Sequence, residues 1–176
     1  MASSACSALR SPWRPTPAGP APGDDGRSFW IIDQTRLPHA FETRRIASLE
    51  DAAREIRDMW VRGAPLIGAT AAWAMAVQMA ADPSDASLNE TWEVLHETRP
   101  TAINLRWALD EMKRVLAPLP ASERAAAAAK RAEDICDEDV EINRRIGEHG
   151  LRIIRDIAAR KGGPVNILTH CNAGWL

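Results

Sequence analysis

The chain has 176 residues, enough for one domain, or for one domain and part of a second. At 45% hydrophobic and 26% charged, it has the make-up of an ordinary globular protein. A net charge of −2 excludes a general pull toward nucleic acid or acidic membranes, and no uninterrupted run of eighteen apolar residues predicts a spanning helix.

The first 27 residues hold five of the twelve prolines and no acidic residue before Asp24. They contain too little large apolar surface to offset their ordering entropy, so residues 1–27 are expected to form a disordered, Pro-rich tail. Order is expected from Phe29. Phe29-Trp30-Ile31-Ile32 reads as a strand, Asp33-Gln34-Thr35 as a turn, and Ala40 to Ile46 as a second extended stretch. Together they predict a small antiparallel sheet packed on helices.

Ser48-x-x-Asp51 resembles a capping box and opens the first helix. Leu49, Ala52, Ala53, Ile56, Met59 and Trp60 share one face of it, while Arg54, Glu55, Arg57 and Asp58 take the other. After Val61-Arg62-Gly63-Ala64-Pro65, a helix from Pro65 to Met79 is apolar almost all round and is expected to be buried on most sides. Its N-terminus should point into the protein. Arg62 beside that N-terminus, with the free backbone donors of Gly63 and Ala64, has the elements of an anion site. The plainer reading stays open: Arg62 pairs with a local carboxylate and Gly63 only makes a turn.

Asp82-Pro83-Ser84-Asp85 is a loop, and Ser87-x-x-Glu90 a second capping box, opening a helix with Leu88, Trp92 and Leu95 on one side. Arg99-Pro100 then repeats the arginine–proline pattern before a helix from Thr101 to Leu116. A phosphate is commonly held from two sides, which makes Arg99 the second candidate anion ligand; the alternative is a solvated loop charge. A long helical region follows, from Ser122 to about Arg160. Ile135, Ile142, Ile146, Ile153, Ile154 and Ile157 form its expected buried stripe. Gly147 and Gly150 predict a kink or a close neighbour. Lys161-Gly162-Gly163-Pro164 stops the helix, and Val165 to Thr169 reads as a strand ending in His170-Cys171-Asn172. The cysteines, Cys6, Cys136 and Cys171, are odd in number and widely spaced, which points to a reducing, cytoplasmic setting rather than a disulfide framework or zinc site.

Five stretches together resemble methylthioribose-1-phosphate isomerase, a family of methionine salvage. They are Ile32-Asp33-Gln34-Thr35-Arg36-Leu37-Pro38, Val61-Arg62-Gly63-Ala64-Pro65-Leu66-Ile67-Gly68, Arg99-Pro100-Thr101-Ala102-Ile103-Asn104-Leu105, Asn143-Arg144-Arg145-Ile146-Gly147 and Leu168-Thr169-His170-Cys171-Asn172-Ala173-Gly174. The resemblance implies a mostly α N-terminal domain with a small antiparallel β-sheet, followed by the first strand of a truncated Rossmann-like α/β domain. The expected organisation is a tail over 1–27, a helical domain over 28–120, a helical connector over 121–162 and the truncated domain over 163–176.

The resemblance further implies conversion of an aldose 1-phosphate to a ketose 1-phosphate without a nucleotide cofactor or an obligatory metal. Cys171 becomes the candidate acid/base residue, and Arg62, Gly63, Ala64 and Arg99 the candidate phosphate clamp. A lone cysteine can equally be an inert buried thiol. A sugar phosphate is the expected partner, with neither nucleic acid nor membrane, and the family implies a homodimer. The family's catalytic aspartate has no matching stretch here, so the chain is expected to be a fragment or a truncated product, inactive alone. Competing readings are a ribose-1,5-bisphosphate isomerase and a non-catalytic assembly protein related to exchange-factor subunits of translation initiation.

Overall fold

A computed structural model describes residues 20–23 and 25–168. The sheet has three antiparallel strands in sequence order: β1 (Ala21–Pro22), β2 (Phe29–Ile32) and β3 (Thr43–Ile46). Phe29 lies opposite Ile46 and Ile32 opposite Thr43. Alternation decides the faces: Phe29, Ile31 and Ile46 enter the core, whereas Trp30 is exposed. The sheet starts earlier than composition predicts, because Ala21 and Pro22 pair with Trp30 and Phe29. An edge strand tolerates Pro22, whose missing N–H is not needed by a second neighbour.

Helix α1 spans Leu49–Arg57, and Ser48 accepts a hydrogen bond from the Asp51 N–H as its cap. It ends sooner than the apolar stripe suggests. Met59 takes a left-handed conformation at φ 59, and the Trp60 N–H bonds back to the Glu55 carbonyl at 2.9 Å. This is a Schellman-type end with methionine where glycine is usual, so no glycine announces it. Met59 is consequently exposed rather than buried. Glu55, assigned by periodicity to the polar face, is only 5% exposed. Helix α1 packs against two other helices, so burial extends beyond its apolar stripe.

Helix α2 (Ala64–Ala81) is the centre of the domain and packs against α1, α3 (Asp85–Thr98), α4 (Ile103–Leu116) and α5 (Ala121–Lys161). From Ile67 to Val77 every residue is buried. This explains an apolar periphery that no amphipathic helix would carry. By length and composition alone α2 would suffice to cross a membrane, a point that counting uninterrupted apolar residues misses; two thirds of it is buried among its neighbours. Its N-terminus does not point inward as expected. Arg62, Gly63, Ala64 and Pro65 are all exposed, and burial begins a turn later.

Helix α3 is capped by Ser84, which accepts from the Ser87 N–H, not by Ser87 as the sequence pattern suggests. Ser87 is instead buried and accepts from Gln78 on α2 at 2.9 Å. The start of α5 is fixed by Arg124, a buried guanidinium that donates to the carbonyls of Leu116, Leu119, Pro83 and Ala117 and pairs with Asp85. A buried charge is tolerated when nearly all its donors are used.

The rest of α5 corrects two expectations. It is one continuous helix of 41 residues, about 60 Å long at 1.5 Å per residue. Of the expected stripe only Ile135 is buried, while Ile142, Ile146 and Ile153 are exposed. Core contact ends because α2, its main partner, is less than half as long. A Cβ added at Gly147 or Gly150 would meet nothing within 4 Å, so neither glycine serves close packing. The exposed part is supported by ion pairs among its own side chains, notably Glu141 with Arg144 and Arg145, whose hydrogen bonds draw the Glu141 carboxyl down to about 2. Gly162 closes the helix in a left-handed conformation at φ 65. Residues 164–168 then form no strand. The expected strand over Val165 to Thr169 is therefore not formed in its described part: none of the described strands pairs with it.

Candidate functional site

The candidate anion ligands come from two loops, each leading into a helix, and those two helices touch near their starts. The α1–α2 loop is held at both ends. Val61 is fully buried, and Gly63 adopts φ 96, which an L side chain rarely takes. Arg62 stands exposed between them. Helix α2 then begins with no side-chain cap and no acidic residue in its first turn, and Pro65 supplies no N–H there. The N–H groups of Gly63, Ala64 and Leu66 are thus donors at the positive end of an 18-residue helix.

The second loop does the same for α4. The Ala102 N–H bonds to the Arg99 carbonyl at 2.9 Å, closing a tight turn. Helix α4 begins at Ile103, again with no side-chain cap and no acidic residue in its first turn. The two helix starts touch. A Cβ built at Gly68 would lie 2.9 Å from the Asn104 carbonyl oxygen and 3.4 Å from the Ala108 Cβ. Gly68 is one turn into α2 and Asn104 is in the first turn of α4. The absent side chain therefore lets the two helices approach closely near their starts.

Among the described residues, no carboxylate pairs with Arg62 or Arg99. The plainer reading of Arg62, a local ion pair, is not what the structure shows. Arg62 is exposed and Arg99 half-buried, so both guanidinium groups remain accessible to a dissolved anion. A concavity of about 290 Å³ lies elsewhere, lined by Ser28, Trp73, Lys130 and Glu133 among others, and includes neither arginine.

Sequence reasoning missed two groups around this loop. Gln34 accepts a hydrogen bond from the Arg62 N–H at 2.6 Å, and its own backbone N–H donates to the Trp60 carbonyl at 2.9 Å. The Asp33-Gln34-Thr35 turn is legible in sequence, but not the 28-residue reach of its glutamine. Beneath the loop, the Arg44 guanidinium lies 4.9 Å from the Trp60 ring centre and 3.5 Å from an Asp33 carboxylate oxygen. Close by, Glu55 is buried with one carboxylate oxygen lacking a hydrogen bond. Burial chiefly, then the nearby charges of Asp51 and Asp33, push its carboxyl up to about 7; Arg54 and Arg44 oppose the rise.

Cys171, with His170 and Asn172, lies outside the described residues. Among the described residues no group of three or more His, Cys, Asp or Glu side chains is placed to hold a metal.

Residues 60–176 match the Initiation factor 2 subunit family. The chain belongs to that family. Its matched region begins at Trp60 and takes in both arginine loops. A Cereibacter sphaeroides protein named methylthioribose-1-phosphate isomerase is 71% identical over 161 residues, covering 88% of this chain and 44% of its own length. A Brucella anthropi protein of the same name is 63% identical, with 87% and 43% covered. The chain thus spans less than half the length of these relatives. Among solved structures, 5-methylthioribose 1-phosphate isomerase from Pyrococcus horikoshii is similar at TM-score 0.71 and 32% identity, with 79% of this chain and 41% of that one covered. Subunit delta of translation initiation factor eIF-2B from A. fulgidus is similar at TM-score 0.70 and 28% identity, with 78% and 42% covered.

Proposed function

We propose that this chain is the N-terminal part of an aldose–ketose isomerase that converts 5-methylthioribose 1-phosphate to 5-methylthioribulose 1-phosphate. Arg62, Arg99 and the N–H groups of Gly63 and Ala64 hold the phosphate, and Cys171 acts as the acid/base at the sugar carbons. The observation that carries this reading is the meeting of α2 and α4 at uncapped first turns, each led by an arginine without a carboxylate partner. The names of the relatives supply the sugar.

In this reading the helical domain over residues 28–120 is the phosphate-holding half. Helix α5 is the connector, and the residues from Gly163 open a Rossmann-like α/β domain that carries the rest of the site. The anomeric phosphate prevents simple ring opening, so catalysis depends on firm positioning while a proton moves between C1 and C2. The working form is a homodimer whose partner molecule is the sugar phosphate. No residue of the site calls for a nucleotide.

The similarity to the eIF-2B subunit, close to that of the isomerase in TM-score, supports a second reading: a non-catalytic assembly protein that uses the same helical domain as a docking unit. Titration with 5-methylthioribose 1-phosphate separates the two. The isomerase reading expects saturable binding that Arg62→Ala and Arg99→Ala each weaken by roughly 10- to 100-fold, the range for one charge-assisted hydrogen-bonded contact. In a protein of the relatives' length carrying this segment, Cys171→Ser should remove conversion and leave binding intact. Binding that is indifferent to both arginines would leave the assembly reading.

A further inference from the structure

We infer that Gln34 is a positioning residue for the anion site, its side-chain carbonyl and backbone N–H together clamping the loop that presents Arg62. The inference rests on the phosphate-holding role proposed above for that loop. Gln34 grips the loop at two points on one side of Val61 and the other, the Trp60 carbonyl at 2.9 Å and the Arg62 N–H at 2.6 Å. Two bonds spanning Val61, whose side chain is fixed in the core, determine the tilt of the peptide planes on both sides of it. The direction in which Arg62 and the following Gly63 N–H project is set by those planes.

Gln34 is itself anchored. Its neighbour Asp33 is buried, accepts from the Thr35 N–H at 3.0 Å and hydroxyl at 2.6 Å, and donates its own N–H to the Glu42 carbonyl. Arg44 ties Asp33 to the Trp60 ring from below. The clamp therefore transmits the rigidity of the sheet end to the loop. The residue type fits the task. The position needs an acceptor of this reach, and an uncharged one. A glutamate would make the same bond while placing a negative charge against an anion site, and a lysine or arginine could not accept at all.

The test uses the full chain, with amide NMR titration by inorganic phosphate and by 5-methylthioribose 1-phosphate. Gln34→Met keeps the side-chain length and removes the acceptor. It should melt within a few degrees of the parent, lose hydrogen-exchange protection at the Arg62 amide, and bind both ligands about five- to tenfold more weakly. Gln34→Glu should retain that amide protection and yet bind more weakly, with the loss shrinking as salt rises. Combined with Arg62→Ala, Gln34→Met should add less than it does alone, because both act through one loop. Weakening by Arg62→Ala with none from Gln34→Met would overturn the inference and leave the anion site standing, as would full additivity. No weakening by Arg62→Ala would remove the anion site, and the inference with it.

Discussion

Replacing Glu55 by Gln should make this protein more stable at alkaline pH and should flatten its pH dependence. Glu55 is 5% exposed, one of its oxygens has no hydrogen-bond partner, and its carboxyl is pushed from 4.5 up to about 7, chiefly by burial. Between those two values the folded state holds a proton that the unfolded chain has released. Stability is therefore fully present below about pH 4.5 and is lost as pH rises through about 7. A displacement of that size corresponds to at most about 3 kcal/mol. Arg54 and Arg44, whose charges oppose the rise, are themselves partly wet, and we expect about 2 kcal/mol after that screening. Glutamine cannot ionise, so the variant should match the parent within about 1 kcal/mol at pH 5 and exceed it by about 2 kcal/mol at pH 8.5. Urea unfolding followed by tryptophan fluorescence at constant ionic strength, from pH 5 to 8.5, measures the difference directly. Subtracting the two curves cancels every titration they share. Parallel curves, with a constant offset across that range, would refute the reasoning.

Two other substitutions probe the frame on which the site is built. Gly68→Ala drives a methyl to 2.9 Å from the Asn104 carbonyl oxygen and should cost about 1–3 kcal/mol of unfolding free energy by urea denaturation, with weaker phosphate binding as the two helix starts separate. Arg124→Met removes a buried guanidinium that serves four carbonyls and Asp85, and should lower stability by about 2–4 kcal/mol in thermal melts while leaving phosphate affinity within twofold.

Local chemistry in the sequence carried far into the fold. Gly162 after a basic last turn stops α5, the all-round apolar α2 is the centre, and the alternation at Phe29-Trp30-Ile31 sets the sheet faces. Each of these depends on neighbours in the chain. Apart from the Met59 end of α1 and the Ser84 cap of α3, the failures are non-local. Glu55 lies on the polar face of α1 by period, yet is buried, since α1 packs against two helices, α2 and α3, rather than one. The isoleucines of α5 have the spacing of a core stripe, yet burial needs a partner helix that reaches them, and α2 ends first. At the site, the arginines and glycines stand out because each is unusual at a helix start. Gln34 does not, since a glutamine in a turn is unremarkable until the loop 28 residues later is placed beside it.

Arg124 has a bearing on how the domain moves. Its five hydrogen bonds reach the carbonyl ends of α4 and of the turn that follows, the loop before α3 and the first residue of α3, while the residue itself belongs to the first turn of α5. Three helix ends that would each fray on their own share a single fastener, so opening any one of them exposes the same charge. Hydrogen exchange at the three ends should accordingly proceed as one event with one free energy. The arginine loops have no fastener shared between helix ends: α2 and α4 start there without side-chain caps, and the Gln34 clamp holds only the peptides around Val61. The bundle is thus pinned by one guanidinium at one set of helix ends, while at the other the Gln34 clamp sets the Arg62 peptide and the N–H groups of the helix starts are left for an anion.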